Sequence, residues 1–466
     1  MLGSASSLTM LKPSTPVRPE SHWVKLSVLV AMTAVLAVAI FRHVNGINGP
    51  QYWRWPWRAW RGWTPYLILI LPAIPVAIAQ IRFADRSVAI GIVLMMFTTL
   101  GIELGVRDLD TDQHDLTRLA AIIEEPGSIG YFTHAEQWVH SGPPLRDYLR
   151  QFPEEMLTFT KHARNKPPGS ILFFAPFVKW APTEDAAAMS AGLAIALLAT
   201  LSVPATYFVA RELTGDSVAA FQASACMCLC PGLCLFLPEL DQFFPVYTAL
   251  IVILWAKALK TGRKIFAIAF GLAFSFICFQ TFNFLMMGIF VAGYAAVIIY
   301  QHRGSRAVST FLRQSAVIIG IVVAAYGLLW LWCGYNPIET LLTGIHTHHT
   351  EETPILHRDW PTTIPFDLTD FALGMGWVCV LLAVYYLVRS WRRPDLLVLL
   401  CLLQPIAVAI TGLLATETAR VWIFMMPLVM VPAGLELRFW RTWERMIVMS
   451  CLWVITVVLS QNMVFV

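Results

Sequence analysis

Apolar residues in this chain run in long blocks, and the blocks lack the two-residue alternation of a half-buried strand. Segments such as 186–210 and 317–333 are continuously apolar. In a hydrocarbon layer roughly 30 Å thick, about 20 helical residues satisfy all their backbone hydrogen bonds within one segment, whereas closed barrels need alternating strands of about ten residues. The pattern therefore predicts an all-α, polytopic integral membrane protein. Hydropathy places about 13 transmembrane helices, at 24–41, 65–81, 88–104, 186–210, 218–236, 245–259, 265–279, 282–300, 316–333, 371–388, 396–414, 421–435 and 446–459.

Composition agrees with that class: 57% hydrophobic residues, 13% charged residues and a mean hydropathy of +0.64. The net charge of +4 is spread over loops, so no nucleic-acid partner is expected. Lys257, Lys260, Arg263 and Lys264 fall on one side of the threading with Arg303, Arg306, Arg389, Arg392, Arg393, Arg438, Arg441 and Arg445. Short cationic loops of this kind stay cytoplasmic, which puts the N-terminus inside. Residues 1–23 are expected to form a disordered cytoplasmic tail, and 24–466 a single integral membrane domain whose first span is retained as an anchor. The basic 42–61 connector is then outside, and its tryptophan-rich run from Trp53 to Trp63 reads as a belt lying among headgroups. All nine cysteines fall inside or at the ends of apolar spans and imply no disulfide framework. Cys226, Cys230 and Cys234 share a helical face, which fits small residues packing between helices better than a metal site.

The same threading gathers the 105–185 loop, the 238–244 turn, the 334–370 loop and the 415–420 turn on the outer face. The first loop opens with Asp108, Asp110, Asp112, His114 and Asp115, and ends with Arg164, Lys166 and the Pro167-Pro168 pair. Thr111 is expected to cap a helix whose Leu116, Leu119, Ala120 and Ile123 form an apolar stripe suited to the membrane surface. On that helix Asp112 and Asp115 share a face. Prolines break the rest of the loop, and 172–180 is too short to span, so interfacial helices are expected there. The second loop carries His346, His348, His349 and His357, with Glu351 and Glu352 nearby. Their spacing matches no closed zinc pattern and reads first as a solvated or headgroup-facing loop, with substrate contact and a divalent metal as alternatives.

Carboxylates clustered at a membrane boundary repel one another unless water, cations or substrate hydroxyls engage them. Such a cluster suits a general base, and Arg107, Arg164, Lys166 and Arg420 on the same face are cations able to stabilise a leaving phosphate. Arg420 opens an otherwise apolar helix. It either snorkels to the headgroups with Glu417 as its i+3 partner or binds phosphate.

Four features, in order along the chain, resemble the GT-C superfamily of membrane glycosyltransferases that use polyprenyl-phosphate sugars. They fit best its branch of protein mannosyltransferases and aminoarabinose transferases. These features are the Asp110 to Asp115 acidic motif after a span, the Lys166-Pro167-Pro168-Gly169 element, the Arg211 to Asp216 and Pro238 to Asp241 turns, and the Glu417-Thr-Ala-Arg420-Val-Trp422 element. The resemblance implies inverting transfer from a polyprenyl-phosphate sugar donor to a lipid, glycan or protein acceptor, at the outward face of a bacterial inner membrane. It implies an aspartate base, with Asp112 ranked first, then Asp110, then Asp115. Arg420, Lys166 and Arg164 would hold the donor phosphate, and His114, Asp241 and Glu417 would contact substrate. No cofactor is required, although a divalent metal stays open. Two spans precede the one feeding the acidic loop, and the motif is Asp-x-Asp-x-x-Asp instead of an adjacent Asp-Glu. Which aspartate is the base therefore stays open, as does the alternative that one or more of them merely cap a helix. A transporter or flippase is the competing class, and such proteins place ionisable groups near the bilayer midplane or on broken helices.

Overall fold

The computed structural model describes residues 22–47, 49, 55–59, 64–84, 87–109, 116–127, 130–302, 305–347, 360–415 and 417–464. Among these residues the fold is all-helical, with one antiparallel bridge between Trp57 and Met463. Every apolar segment predicted to span is helical. Seven described helices are long and apolar enough to cross a membrane: Trp23–Phe41, Val88–Leu109, Glu184–Thr214, Leu240–Thr261, Phe282–His302, Ser305–Cys333 and Thr442–Asn462. An eighth crossing is counted if Ile364–Gly374 and Val378–Ser390, bent by 104° at their junction, are taken together. This is the architecture of a multi-pass helical membrane protein. The remaining predicted spans fall on shorter apolar helices of 10–17 residues.

Position explains why some of these helices are short. Every residue of the Ser217–Cys228 helix from Ala219 onward is buried, and so is all of Met426–Leu437; the two pack against each other at the centre of the bundle. A helix apolar on all faces belongs in a protein interior. Small residues let these backbones approach, because a Cβ on Gly434 would run into the Ala219 carbonyl oxygen and lie 2.9 Å from the Ala223 nitrogen. Ser305–Cys333 is the opposite case, with 6% of its apolar window buried and its surface turned to the surroundings.

Two expectations need correcting. The first described helix of the large loop is Thr117–Glu124, with Leu116 at its N-cap, and Thr111, expected as a cap, lies outside the described residues. Its Leu119, Ala120 and Ile123 are buried, and Leu119 meets Gly192 on the Glu184–Thr200 helix. That stripe faces protein, because a helix of two turns gains more from a packed neighbour than from an interface. The tryptophan-rich connector is likewise no free belt where it is described. Trp55 is 7% exposed and donates its indole N–H to Asp370 Oδ1 at 2.9 Å, while Arg58 donates to the Ser460 carbonyl at 2.5 Å and the Gln461 carbonyl at 3.2 Å. These bonds satisfy carbonyls at the end of the Thr442–Asn462 helix that would otherwise lack partners.

The helices order the two ends of the molecule. Leu240–Thr261 runs from Asp241 to Lys260, which pairs with Glu212 at 2.9 Å. The Arg211–Asp216 turn forms with Gly215 at φ +71°, and Asp216 caps the next helix through Ala219 N at 2.8 Å while pairing with Arg438 at 2.7 Å. Lys25 and Arg389 meet the fully buried Glu436. Lys260, Arg389 and Arg438, three of the basic residues predicted to be cytoplasmic, thus make ion pairs away from the cavity described next, to which the other ends of Leu240–Thr261, Lys264–Gln280 and Leu396–Thr411 lead.

Gly434→Ala is expected to lower the thermal midpoint in detergent, because a methyl forced against the Ala219 carbonyl costs about 1–3 kcal/mol of overpacking. Gly320→Ala, with nothing within 4 Å of the added carbon, should leave the midpoint unchanged. Equal midpoints for the two variants would show that the central helix pair is not packed this closely.

Candidate active site

The four segments predicted to share one face converge on one cavity of about 180 Å³. The first loop contributes Tyr131, Lys161, His162, Asn165 and Lys166; the 239–241 turn contributes Glu239 and Asp241; the last turn contributes Glu417 and Arg420. Asn283 enters from the short 3-10 segment Phe282–Met286 that breaks the hairpin between two apolar helices. Leu285, Met286, Leu341, Ile345, Leu413 and Leu414 supply apolar lining. The cavity therefore presents both ionic and hydrocarbon groups to an occupant.

Arg420 organises the ionic groups. It is 9% exposed, and its guanidinium meets Glu239 Oε1 at 2.6 Å, Glu417 Oε2 at 2.7 Å and Asp241 Oδ2 at 3.9 Å. Burial opposes its charge, but the three carboxylates outweigh that and hold the guanidinium protonated. The expected i+3 pair with Glu417 forms, but the side chain points into the cavity and not toward headgroups. Three carboxylates around one cation leave an excess of negative charge. Glu239 carries the consequence: burial pushes its carboxyl up to about 7 against the pull of Arg420, with Asp241 and Glu417 adding to the rise. Tyr131 is pushed up as well, by burial and then by Asp241 and Glu239, so its hydroxyl stays neutral and able to donate.

The turn that carries Arg420 is fixed from below. Asp370 Oδ2 accepts the Ala419 backbone N–H at 2.7 Å and the Thr418 hydroxyl at 3.2 Å, while its other oxygen takes the Trp55 indole. A carboxylate at a helix start satisfies donors that have no partner within the helix. Thr418 also donates to the Asp367 carbonyl, and the Trp422 indole closes the turn onto Leu414 O at 2.8 Å. Gly374 makes room, since a Cβ there would lie 2.7 Å from Ala419 Cα. Glu417 adopts φ +50°, a strained left-handed conformation for a non-glycine residue, held by these surrounding bonds.

Lys166, Asp241, Glu417 and Arg420, four of the residues singled out from the sequence, share this cavity. Arg164 does not line it; its Nε donates to the Phe159 carbonyl at 3.2 Å. Asp110, Asp112, His114 and Asp115 lie outside the described residues, as do His348, His349 and His357 of the second loop. The helix feeding the acidic motif is nevertheless tied to this region, because Arg107 donates to the Leu235 carbonyl four residues before Glu239. Among the described residues no group of three His, Cys, Asp or Glu side chains is placed to hold a metal ion.

Sequence reasoning passed over Glu239, Tyr131, Asn283 and Asp370. Two acids two residues apart in a short outer turn were a legible signal for Glu239, and the polar run Gln280-Thr281-Phe282-Asn283 inside an apolar hairpin was one for Asn283. Asp370 had none, because its role depends on a contact 49 residues away.

The raised Glu239 carboxyl predicts a pH dependence. Because the folded chain holds its proton more tightly than a solvated glutamate with a value of 4.5 does, its stabilising contribution is whole below about pH 4.5. It is lost as pH rises through about 7. Thermal midpoints measured from pH 4.5 to 8 should fall over that window in the wild type and fall less in Glu239→Gln; identical profiles would refute the assignment.

Neither the models of known protein families nor the curated proteins match this sequence.

Proposed function

We propose that this protein is a glycosyltransferase that moves a sugar from a polyprenyl-phosphate donor to an acceptor at the outer face of a membrane. One observation carries the reading: cations, carboxylates and an apolar wall meet in one cavity, formed by segments that threading places on the same face. A donor of this class is itself an amphiphile. Its isoprenoid chain fits Leu285, Met286, Leu341 and Leu413, and its phosphate and sugar fit the ionic groups.

Within this reading the finer architecture is that of the GT-C superfamily, with 13 crossings, the short central helices counted among them, in a bacterial inner membrane and with the cavity facing outward. The acceptor oxygen attacks the anomeric carbon from the side opposite the phosphate, so the product has inverted configuration. As the new C–O bond forms, an aspartate takes the acceptor proton, and the pair of electrons from the breaking C–O bond leaves on the phosphate. Asp112 is the first choice for that base, followed by Asp110 and Asp115. Among the cavity cations Lys161, Lys166 and Arg420, Lys166 is the anion ligand that the Lys166-Pro167-Pro168-Gly169 element implies, and Arg420 is held by Glu239 and Glu417, with Asp241 farther off. Arg420 then serves to hold Glu239, Asp241 and Glu417 as acceptors for sugar hydroxyls.

One feature favours a transporter as the rival reading. The 104° bend between Ile364–Gly374 and Val378–Ser390 is of the kind transporters use at substrate sites. Sealed vesicles separate the two, since a transporter moves labelled lipid or solute across the bilayer without forming a glycosidic bond.

The enzyme reading predicts that purified protein carrying both Asp110→Asn and Asp112→Asn keeps its thermal midpoint and loses sugar transfer from a polyprenyl-phosphate donor by about 100-fold or more, in line with the usual worth of a general base. Transfer at the wild-type rate would remove the proposed base.

A further inference from the structure

Two pieces of the first large loop line the cavity: Tyr131, which opens the Tyr131–Ser141 helix, and the turn that carries Lys161, His162, Asn165 and Lys166. One histidine joins them. His134 lies one turn after Tyr131 and is 8% exposed, and its Nε2 accepts the Thr160 backbone N–H at 3.0 Å. The Thr160 carbonyl in turn accepts the N–H groups of Ala163 at 3.0 Å and Arg164 at 2.9 Å, so the turn is built on this residue. The Thr160 hydroxyl is buried without a partner among the described residues and adds no second hold. Contact there is close, since a Cβ on Gly130, which has φ +69°, would collide with that hydroxyl. The far end of the segment is fixed separately: Lys166 Nζ donates to Asn283 Oδ1 at 3.0 Å, and Ser170 Oγ donates to the Gln280 carbonyl at 2.6 Å.

A backbone amide can only donate, so Nε2 carries no proton and the single ring proton sits on Nδ1, 3.2 Å from Gln137 Oε1. Phe159 stacks on the ring with 4.3 Å between centroids. An imidazolium has no acceptor, so a second proton at Nε2 sets two donors against each other and breaks the bond to Thr160. Burial lowers the ring's pKa from its ordinary value of 6.5, and Gln137 opposes that. The titratable groups on the packed elements are Arg118 and Glu124 on Thr117–Glu124, Tyr148 on Leu145–Glu155 and Lys179 on Gly169–Trp180. Glu136 and His140 share its own helix, and Lys161, His162 and Arg164 follow Thr160. None of these shifts the His134 ring. We infer that His134 is a positioning residue for the cavity: its unprotonated Nε2 joins the Tyr131 helix to the turn bearing Lys161 and His162, and protonation releases that turn. The inference does not depend on what the cavity binds, so its failure leaves the glycosyltransferase reading standing.

Hydrogen–deuterium exchange of the full-length protein in nanodiscs tests this, with rates corrected for the intrinsic effect of pH. The closed turn binds the second proton more weakly than the open one, so its hold is whole above about pH 6.5 and is lost below it. In wild type, peptides covering Thr160 to Arg164 should therefore exchange about tenfold faster at about pH 5.5 than at about pH 7.5, the factor that one pH unit below 6.5 sets. The enclosed Ser217–Cys228 helix should stay equally protected at both, which separates release of the turn from unfolding. His134→Gln offers an amide oxygen to Thr160 and does not titrate, so its turn should exchange slowly at both pH values. His134→Phe keeps a ring against Phe159 and has no acceptor, so its turn should exchange fast at both. Equal wild-type rates at the two pH values overturn the inference. So does acid acceleration that extends to the Ser217–Cys228 helix, or one as large in His134→Gln as in wild type.

Discussion

A guanidinium charge held at 9% exposure against an apolar bundle is the constraint around which the cavity end of this molecule is arranged. Removing such a charge from water is costly unless opposite charges and hydrogen bonds surround it. Here the partners come from sequence-distant places. Glu239 and Asp241 arrive on one turn, Glu417 on another, and Asp370 with Trp55 fixes the backbone beneath. Arg420 pairs with carboxylates from both turns, so its charge ties these segments to one another. Burial first, and then Asp241 and Glu417, raise the Glu239 carboxyl against the pull of Arg420, which makes the same cluster responsive to pH.

Helix length serves that arrangement. The central helices Ser217–Cys228 and Met426–Leu437 stop short of a full crossing, and their outer ends give way to turns. Pro231–Cys234 and the turn to Asp241 follow the first, and Thr418–Val421 precedes the second. Irregular backbone at such depth is tolerated only where protein or a polar cavity satisfies it. Gly232 and Gly374 both abut Ala419, which lets the Arg420 turn sink between two neighbouring segments. The shortened helices and the cavity are thus one feature: room for polar chemistry exists because the spans around it end early.

Hydrophobic blocks made the helices legible, since continuous apolar sequence in a membrane leaves the backbone no other solution. Apolar character alone did not reveal which helices lie inside: Ala219 to Cys228, rich in small residues, is enclosed, while Val317 to Cys333, rich in Val, Ile, Leu and Trp, is nearly bare. That difference arises from close approach at single glycines such as Gly434, a tertiary property. At the site, Lys166, Asp241, Glu417 and Arg420 were legible because a charge beside an apolar span at the outer boundary is conspicuous. Asp370 was not, since a carboxylate in the first part of a helix looks like an ordinary dipole partner until Ala419 is seen to donate to it. The stripe from Leu119 to Ile123 misled for a related reason: amphipathicity specifies an apolar neighbour without saying whether it is lipid or protein.

Cations, carboxylates and hydrocarbon line one cavity, and that combination constrains any occupant. An anionic group gains from the ammonium of Lys166 and loses near Glu239, Asp241 and Glu417, while neutral hydroxyls lose nothing near carboxylates and gain strong acceptors there. The hydrocarbon wall of Leu285, Met286, Leu341 and Leu413 leaves one place for an apolar chain. A molecule with hydroxyls, an anion and a hydrocarbon tail in that order can satisfy all three surfaces at once. A free sugar leaves the apolar lining uncovered, and a simple phospholipid brings fewer hydroxyls to the carboxylates than a sugar does. The geometry therefore discriminates by the sequence of chemical groups along a ligand more than by the shape of any one of them.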